Sequence, residues 1–182
     1  ERMSQFSNPS EVIAVYEIPE TNFSNDEISN KLNVILEGVQ DPGNLGTIIR
    51  LCDWYGIKNI FCNKNTVDVY NHKVIQATMG AISRVKVHYC DLEALIDEFP
   101  EMPVYGTTLD GENIYNSDLD SSAFIIFGNE GKGMSDKLKS LTTRNLYIPS
   151  NAINGETSES LNVGLAAAIT ISEFSRKALM KK

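Results

Sequence analysis

Three stretches carry residue types and spacings that could do chemistry. The first is Asp41-Pro42-Gly43-Asn44-Leu45-Gly46, with Arg50 four residues on. Asp41 followed by Pro42 reads as a helix N-cap and a proline at the first helical position, and Gly56 as the C′ stop. Leu45, Ile48, Ile49 and Cys52 then form one core face. Thr47, Arg50 and Trp54 point the other way, with Leu51 beside them. A lone arginine on such a face is by itself a solvated charge. Gly46 argues for more, because glycine in a first helical turn costs about 1 kcal/mol against alanine. Close approach of another backbone or of a ligand explains its presence better. A Trp and a Leu off the core face need cover, and a partner subunit is a candidate.

The second stretch is Gly128-Asn129-Glu130-Gly131-Lys132-Gly133, directly after the apolar run 123–127. Two nucleotide readings fail on spacing. A dinucleotide fingerprint needs Gly-x-Gly-x-x-Gly, and the order here is Gly-x-x-Gly-x-Gly. A Walker loop needs a glycine where Ile126 stands and Ser or Thr where Gly133 stands. What remains is a flexible loop after a buried strand, a binding element or a plain turn. The third stretch runs from Asn145 to Phe174. A short strand, Leu146 to Ile148, is cut by Pro149, and a polar loop leads into a long apolar segment. Thr157, Ser158 and Ser160 offer N-cap oxygens there. Leu161, Leu165, Ile169 and Ser172 share a face, and Val163, Ala166, Ala167, Ile171 and Phe174 carry apolarity nearly all round. That pattern means burial on several sides. By itself it is a capped core helix; its polar start is also a place where a small ligand could bind.

The elements that must position these residues are legible around them. Strands are read at 12–18, 33–37, 58–62, 85–89, 103–108, 123–127 and 146–148, and helices at 41–56, 72–82, 91–99, 135–141 and from about 160 onward. Residues 20–31 read as an acidic linker or surface loop. His72 reads as a capping or surface residue. Strands alternate with helices and several are apolar throughout, which predicts an α/β fold: a mostly parallel sheet with helices on both faces. At 182 residues the chain is one domain of ordinary size. Its net charge of −8 argues against gripping nucleic acid through bulk charge. The balance is uneven, acidic in 1–30 and 101–131 and basic in 132–182. No apolar run approaches the ~20 residues of a membrane span. Cys52, Cys62 and Cys90 lack paired spacing, which reads as reduced thiols and a cytoplasmic protein. With two histidines in the chain, no Cys/His cluster resembles a metal site.

Taken together, the three stretches resemble the SpoU (TrmH-like) branch of the SPOUT RNA methyltransferases. Asp41-Pro-Gly-Asn-Leu-Gly-Thr-Ile-Ile-Arg50 is similar to the family's first motif, and Phe127-Gly-Asn-Glu-Gly-Lys-Gly-Met-Ser135 to its second. Ile148-Pro149 with Ser160-Leu-Asn-Val-Gly-Leu-Ala-Ala-Ala-Ile169 is similar to the third. The motifs stand in order across residues 33–176. The resemblance implies a C-terminal trefoil knot, a homodimer, and S-adenosylmethionine as methyl donor, with no metal. It implies rRNA or tRNA as the partner and transfer of methyl to a ribose 2′-hydroxyl. Carried over by motif, the catalytic residues are Arg50, Asn44, Glu130, Ser160 and Asn162. Those for the methyl donor are Thr107, Thr108, Leu109, Gly128, Asn129, Gly131, Ile148, Pro149 and Leu161.

Ten residues separate Pro149 from Ser160, more than the commonest family form, and His72-Lys73 stands where the family often has Pro-Lys. Residues 1–18 resemble the junction after an N-terminal RNA-binding domain in longer relatives. Residues 1–30 are therefore expected to be a junction or linker, and 31–182 the catalytic domain. Two rivals remain: a catalytically silent RNA-binding or assembly factor on the same fold, and an unrelated nucleotide-binding oxidoreductase, against which the glycine order speaks.

Overall fold

A computed structural model of the chain describes residues 14–152 and 158–180. Its centre is a pair of apolar strands, β1 (Leu32–Leu36) and β5 (Ala123–Phe127), which run parallel with Leu32 opposite Ala123 and Leu36 opposite Phe127. β2 (Asn59–Cys62) and β3 (Lys86–Tyr89) extend the sheet on the β1 side. β4 (Val104–Asn113) and β6 (Arg144–Tyr147) extend it on the β5 side. The order is β3-β2-β1-β5-β4-β6, and every strand pairing is parallel. The direction of winding reverses between β1 and β5. In open α/β sheets that reversal opens a crevice at the carboxyl ends of the strands.

Alternate residues of the central strands feed two cores, as burial on both faces requires. Val34, Leu36, Ile60, Ile125 and Phe127 pack with α2 (Pro42–Trp54), α3 (His72–Thr78) and α6 (Val163–Met180). Ile35, Phe61, Phe124 and Ile126 pack with α1 (Asn25–Ser29), α4 (Leu92–Asp97) and α5 (Asp136–Leu141). The expected sheet with helices on both faces is what forms. α2 starts as read from the sequence: Asp41 accepts from the Asn44 amide at 2.8 Å, with Pro42 at N1. Leu45, Ile48, Ile49 and Cys52 are fully buried, while Arg50 and Trp54 are exposed. Gly46 is answered by a backbone rather than a ligand. A Cβ there would collide with the Ala77 Cβ and stand 3.0 Å from the Ala77 carbonyl carbon and 3.1 Å from the Val74 oxygen, so α2 and α3 approach too closely for a side chain.

Several boundaries differ from the sequence reading, each for a physical reason. Residues 14–18 form no strand, because their backbone joins no ladder among the described residues; Val15, Tyr16 and Ile18 are exposed. Residues 12 and 13 lie outside the described residues. The stretch read as a linker holds α1. Ser24 N–H donates to Glu27 Oε2 at 3.1 Å, and Glu27 N–H to the Ser24 carbonyl at 3.0 Å. That reciprocal capping sets Ile28 fully into the core. Phe23 stands edge-on to Phe61 and His88. The helix read over 72–82 stops at Thr78, because Met79 and Gly80 both take positive φ, and a single 3-10 turn follows at Ala81–Ser83. β4 runs on to Asn113 through a bulge between Thr107 and Glu112. α6 begins at Val163, later than its polar approach suggested.

Candidate active site

The glycine loop after β5 is held at both ends by the end of β1. Asn129 Nδ2 donates to the Gly38 carbonyl at 2.7 Å. Asn129 Oδ1 accepts the Gly131 and Lys132 amides, both at 3.0 Å. Ser135 N–H donates to Glu37 Oε2 at 2.8 Å. Asn129 and Gly133 exchange backbone bonds of 3.1 and 2.8 Å, which closes the loop on itself. Gly128 is required by that closure, since a Cβ would stand 2.5 Å from the Gly133 carbonyl carbon and the Met134 nitrogen. Asn129 is thus the organiser of the loop, with its amide spent on backbone groups.

Three residues from the three motifs form one hydrogen-bonded chain. Asn162 Nδ2 donates to Asn44 Oδ1 at 3.0 Å, and Asn44 Nδ2 donates to Glu130 Oε1 at 2.9 Å. Asn162 Oδ1 accepts the Gly164 and Leu165 amides at 2.9 and 3.3 Å, so Asn162 is the residue that caps α6. Neither Ser158 nor Ser160 does so, and Thr157 lies outside the described residues. Each amide is used at both ends, which fixes its orientation and aims one Glu130 oxygen at Asn44.

Beside this chain lies a cavity of about 770 Å³ at the carboxyl ends of β5, β4 and β6. All nine residues assigned to the methyl donor line it: Thr107, Thr108 and Leu109 from the β4 bulge, Gly128, Asn129 and Gly131 from the loop, and Ile148, Pro149 and Leu161 from the third motif. Glu130 and Ser160 line it as well. Asn44 and Asn162 stand behind Glu130. Arg50 is off the wall, exposed on α2 without a hydrogen bond or ion pair among the described residues. The loop between Pro149 and Ser160 contributes Ser150, Ser158 and Glu159, and its residues 153–157 lie outside the described residues. A second cavity, about 460 Å³, sits beyond the Glu37–Ser135 tie at the ends of β1, β2 and β3.

The cavity's β4 wall is braced by charge. Arg144, at the start of β6, donates Nε to Glu112 Oε1 at 3.0 Å and Nη2 to Glu112 Oε2 at 2.5 Å. Its guanidinium holds the Glu112 carboxyl below the usual carboxylate range and lies 5.6 Å over the Tyr105 ring. Burial, with Asp120 accepting the hydroxyl at 2.5 Å, pushes Tyr105 up to about 12. Thr107 Oγ1 donates to the Ile126 carbonyl at 2.8 Å and pins the base of the bulge to β5.

Sequence reasoning missed the lysines of this cavity, Lys132 and Lys139, and the helical stripe Val163, Ala166 and Thr170. The i, i+3, i+7 spacing of that stripe was available as a signal. It was hidden because the whole helix is apolar. The face taken to share burial, Leu161, Leu165, Ile169 and Ser172, is instead the open side of the helix and its approach: Leu161 is 45% and Leu165 60% exposed. Among the described residues no cluster of His, Cys, Asp or Glu could hold a metal ion.

Residues 31–172 match the SpoU rRNA Methylase family. The chain belongs to that family. Its SpoU relatives include the Bacillus subtilis 23S rRNA (guanosine(2553)-2′-O)-methyltransferase RlmP, 34% identical over 93% of this chain and 66% of that enzyme. Among solved structures, a TrmH-family protein from Porphyromonas gingivalis is 38% identical, with a TM-score of 0.75 over 82% of this chain and 61% of its own. An AdoMet-bound rRNA methyltransferase from Sinorhizobium meliloti is 28% identical, with a TM-score of 0.74 over 86% of this chain and 62% of that one. This SpoU-family chain therefore spans less than two thirds of the length of these relatives.

Proposed function

We propose that this SpoU-family chain transfers the methyl group of S-adenosylmethionine to a ribose 2′-hydroxyl of rRNA or tRNA. The observation that carries the reading is the convergence of three separate motifs on one place. Every residue assigned to the methyl donor lines a single cavity, and the Glu130–Asn44–Asn162 chain closes one side of it. The cavity suits such a donor chemically. Its floor is apolar, its mouth carries charged and hydroxyl groups, and the Gly128 backbone lies bare where a side chain would not fit.

A sulfonium methyl is already activated, so the protein must align the hydroxyl with it and manage one proton. Asn44 and Asn162 are positioning residues that hold the Glu130 carboxylate. Ser160 lines the cavity beside it. Arg50 carries a planar charge, unpaired among the described residues, on the helix that bears Asn44. It binds the RNA phosphate and favours the developing alkoxide; a guanidinium has no lone pair free to take up a proton, which makes it a poor base. Arg50→Lys keeps the charge and loses the bidentate fork. Its kcat/KM on RNA falls by about tenfold or more, consistent with a lost charge-assisted bond. A variant retaining most of its activity at saturating RNA removes both roles from Arg50.

We further propose a homodimer, with α6 threaded in the family's trefoil knot. The exposed apolar residues Trp54, Leu161 and Leu165 support the dimer, since surfaces of that kind mark interfaces. Three free thiols, Cys52 and Cys62 buried and Cys90 half-buried, suit a cytoplasmic enzyme. Among the described residues no helix is long and apolar enough to cross a membrane. The test is a map of 2′-O-methylation across cellular RNA with and without the gene. One site lost on deletion and restored by the wild-type gene, but not by Arg50→Ala, is expected. Loss of no site in any RNA sinks the enzyme reading and leaves an assembly factor.

A further inference from the structure

Thr170 sits on α6 in the stripe that faces the cavity, seven residues after Val163 and four after Ala166. It is 1% exposed. Each of the other buried polar residues among those described has a side-chain hydrogen bond. Asn33 donates to Ile28, Asn59 pairs with His88, Thr66 and Thr78 donate to backbone carbonyls, Ser117 donates to Asn113, and Glu173 pairs with Arg176. The Thr170 hydroxyl has none, and it is not sealed in the interior, since it is absent from the enclosed unpartnered atoms, Asn33 Oδ1 and Asn145 Oδ1. Its opening is the cavity.

The surroundings say what would meet it. Ile114, Phe127, Leu146 and Val163, all buried, line the cavity with Thr170, whereas Glu130, Lys132 and Lys139 are exposed. A ligand with one flat apolar end and one charged end fits that gradient in one direction. A nucleobase has apolar faces and a polar edge, whereas the amino-acid end of S-adenosylmethionine carries an ammonium and a carboxylate. A dry hydroxyl left without a partner is costly, and a single water among apolar walls finds few polar side chains to bond. We infer that the Thr170 hydroxyl hydrogen-bonds the edge of the purine base of the methyl donor at the cavity floor, and so helps set specificity for an adenine nucleoside. The inference rests on the proposed use of S-adenosylmethionine.

Calorimetry with S-adenosylhomocysteine on the whole chain, combined with the crystal structure of that complex, tests it. Thr170→Val is isosteric and lacks the hydroxyl. Its affinity falls about three- to tenfold, the size of one hydrogen bond, and Thr170→Ser restores it within about twofold. The melting temperature of the unliganded Val variant does not fall, as it would if the hydroxyl held the fold together. In the complex Oγ1 lies within about 3.2 Å of a base nitrogen. Equal affinity of wild type and Thr170→Val overturns the inference while leaving S-adenosylmethionine in place. So does an Oγ1 bonded to water alone, or to the ribose or amino-acid end. Failure of the wild type to bind S-adenosylhomocysteine overturns the reading of the cavity itself, and the role of Thr170 with it.

Discussion

Asn162 performs two tasks with one amide: its oxygen starts α6 and its nitrogen reaches Asn44. The tasks separate by substitution. Serine is as good an N-cap as asparagine but too short to reach across, whereas alanine loses both contacts. Asn162→Ser should melt within about a degree of wild type and lose methyl transfer. Asn162→Ala should lose the same activity and in addition about 1 kcal/mol of stability, roughly 2–4 °C for a chain of this size. Thermal melts beside RNA methylation assays check this, and a fully active Ser variant would detach the Asn44 bridge from function. The placement of Asn162 beside Asn44 was expected from its motif. Its capping role was not, because three other side-chain oxygens precede the helix. The choice fell to the residue whose carbonyl accepts the first helical bond, from Ala166 at 2.9 Å.

At the scale of elements, the site depends on short connections drawn tight by specific contacts. Gly128→Ala should open the loop between β5 and α5. The added methyl runs into the Gly133–Met134 backbone, and overpacking of that kind costs about 1–3 kcal/mol. Calorimetry should show S-adenosylhomocysteine binding weakened tenfold or more, and unchanged binding would mean that the loop is not part of the cavity's working wall. β3 and β2 meet at His88, a ring stacked on Phe61 at 5.1 Å and bonded to Asn59 Oδ1 at 3.1 Å. Burial lowers its pKa, against the opposing pull of a bond to the Thr21 backbone, with Lys86 and Glu27 nearby. Below about pH 6.5 the unfolded chain takes up this proton more readily than the folded one, so stability falls as pH falls through that range. The melting temperature at pH 5.5 should lie below that at pH 7.5, and His88→Phe should flatten that part of the profile. An unchanged slope in His88→Phe would place the titration elsewhere. The central strands were legible because five consecutive apolar residues leave little else for β5 to be. Residues 14–18, part of the strand read at 12–18, have similar composition but no neighbour to pair with among the described residues, and composition does not encode a neighbour. α1 was overlooked although Ser24 and Glu27 stand at the capping-box spacing, because one buried isoleucine gives no periodicity.

The whole molecule shows a mismatch between what is covered and what is apolar. Trp54 is 83% exposed on the same helix as Arg50, and Leu165 lies on the open face of α6, which packs against α2. Apolar patterning identified α6 as a helix buried on several sides, and a single chain buries only part of it. The remainder is what a second copy would cover. Trp54→Glu should convert a dimer to a monomer in sedimentation equilibrium at micromolar concentration, with the fold intact by circular dichroism. A wild type that sediments as a monomer at every concentration would remove the dimer from the account.

The ties that assemble the site also set when it can exist. Asn129 reaches Gly38 across 91 residues, Ser135 reaches Glu37 across 98, and Asn162 reaches Asn44 across 118. A nascent chain that has released α2, β2 and β3 holds Asn44 and Arg50 in place and still has no cavity. Closure must wait for the last helix to leave the ribosome. Contacts this distant in sequence slow folding, because the entropy of closing the loop is lost before the contacts form. Competence should therefore arrive late and abruptly in refolding. Secondary structure followed by circular dichroism should settle before the chain can bind S-adenosylhomocysteine, and binding that appears in the same phase would mean that the long-range ties form with the elements themselves.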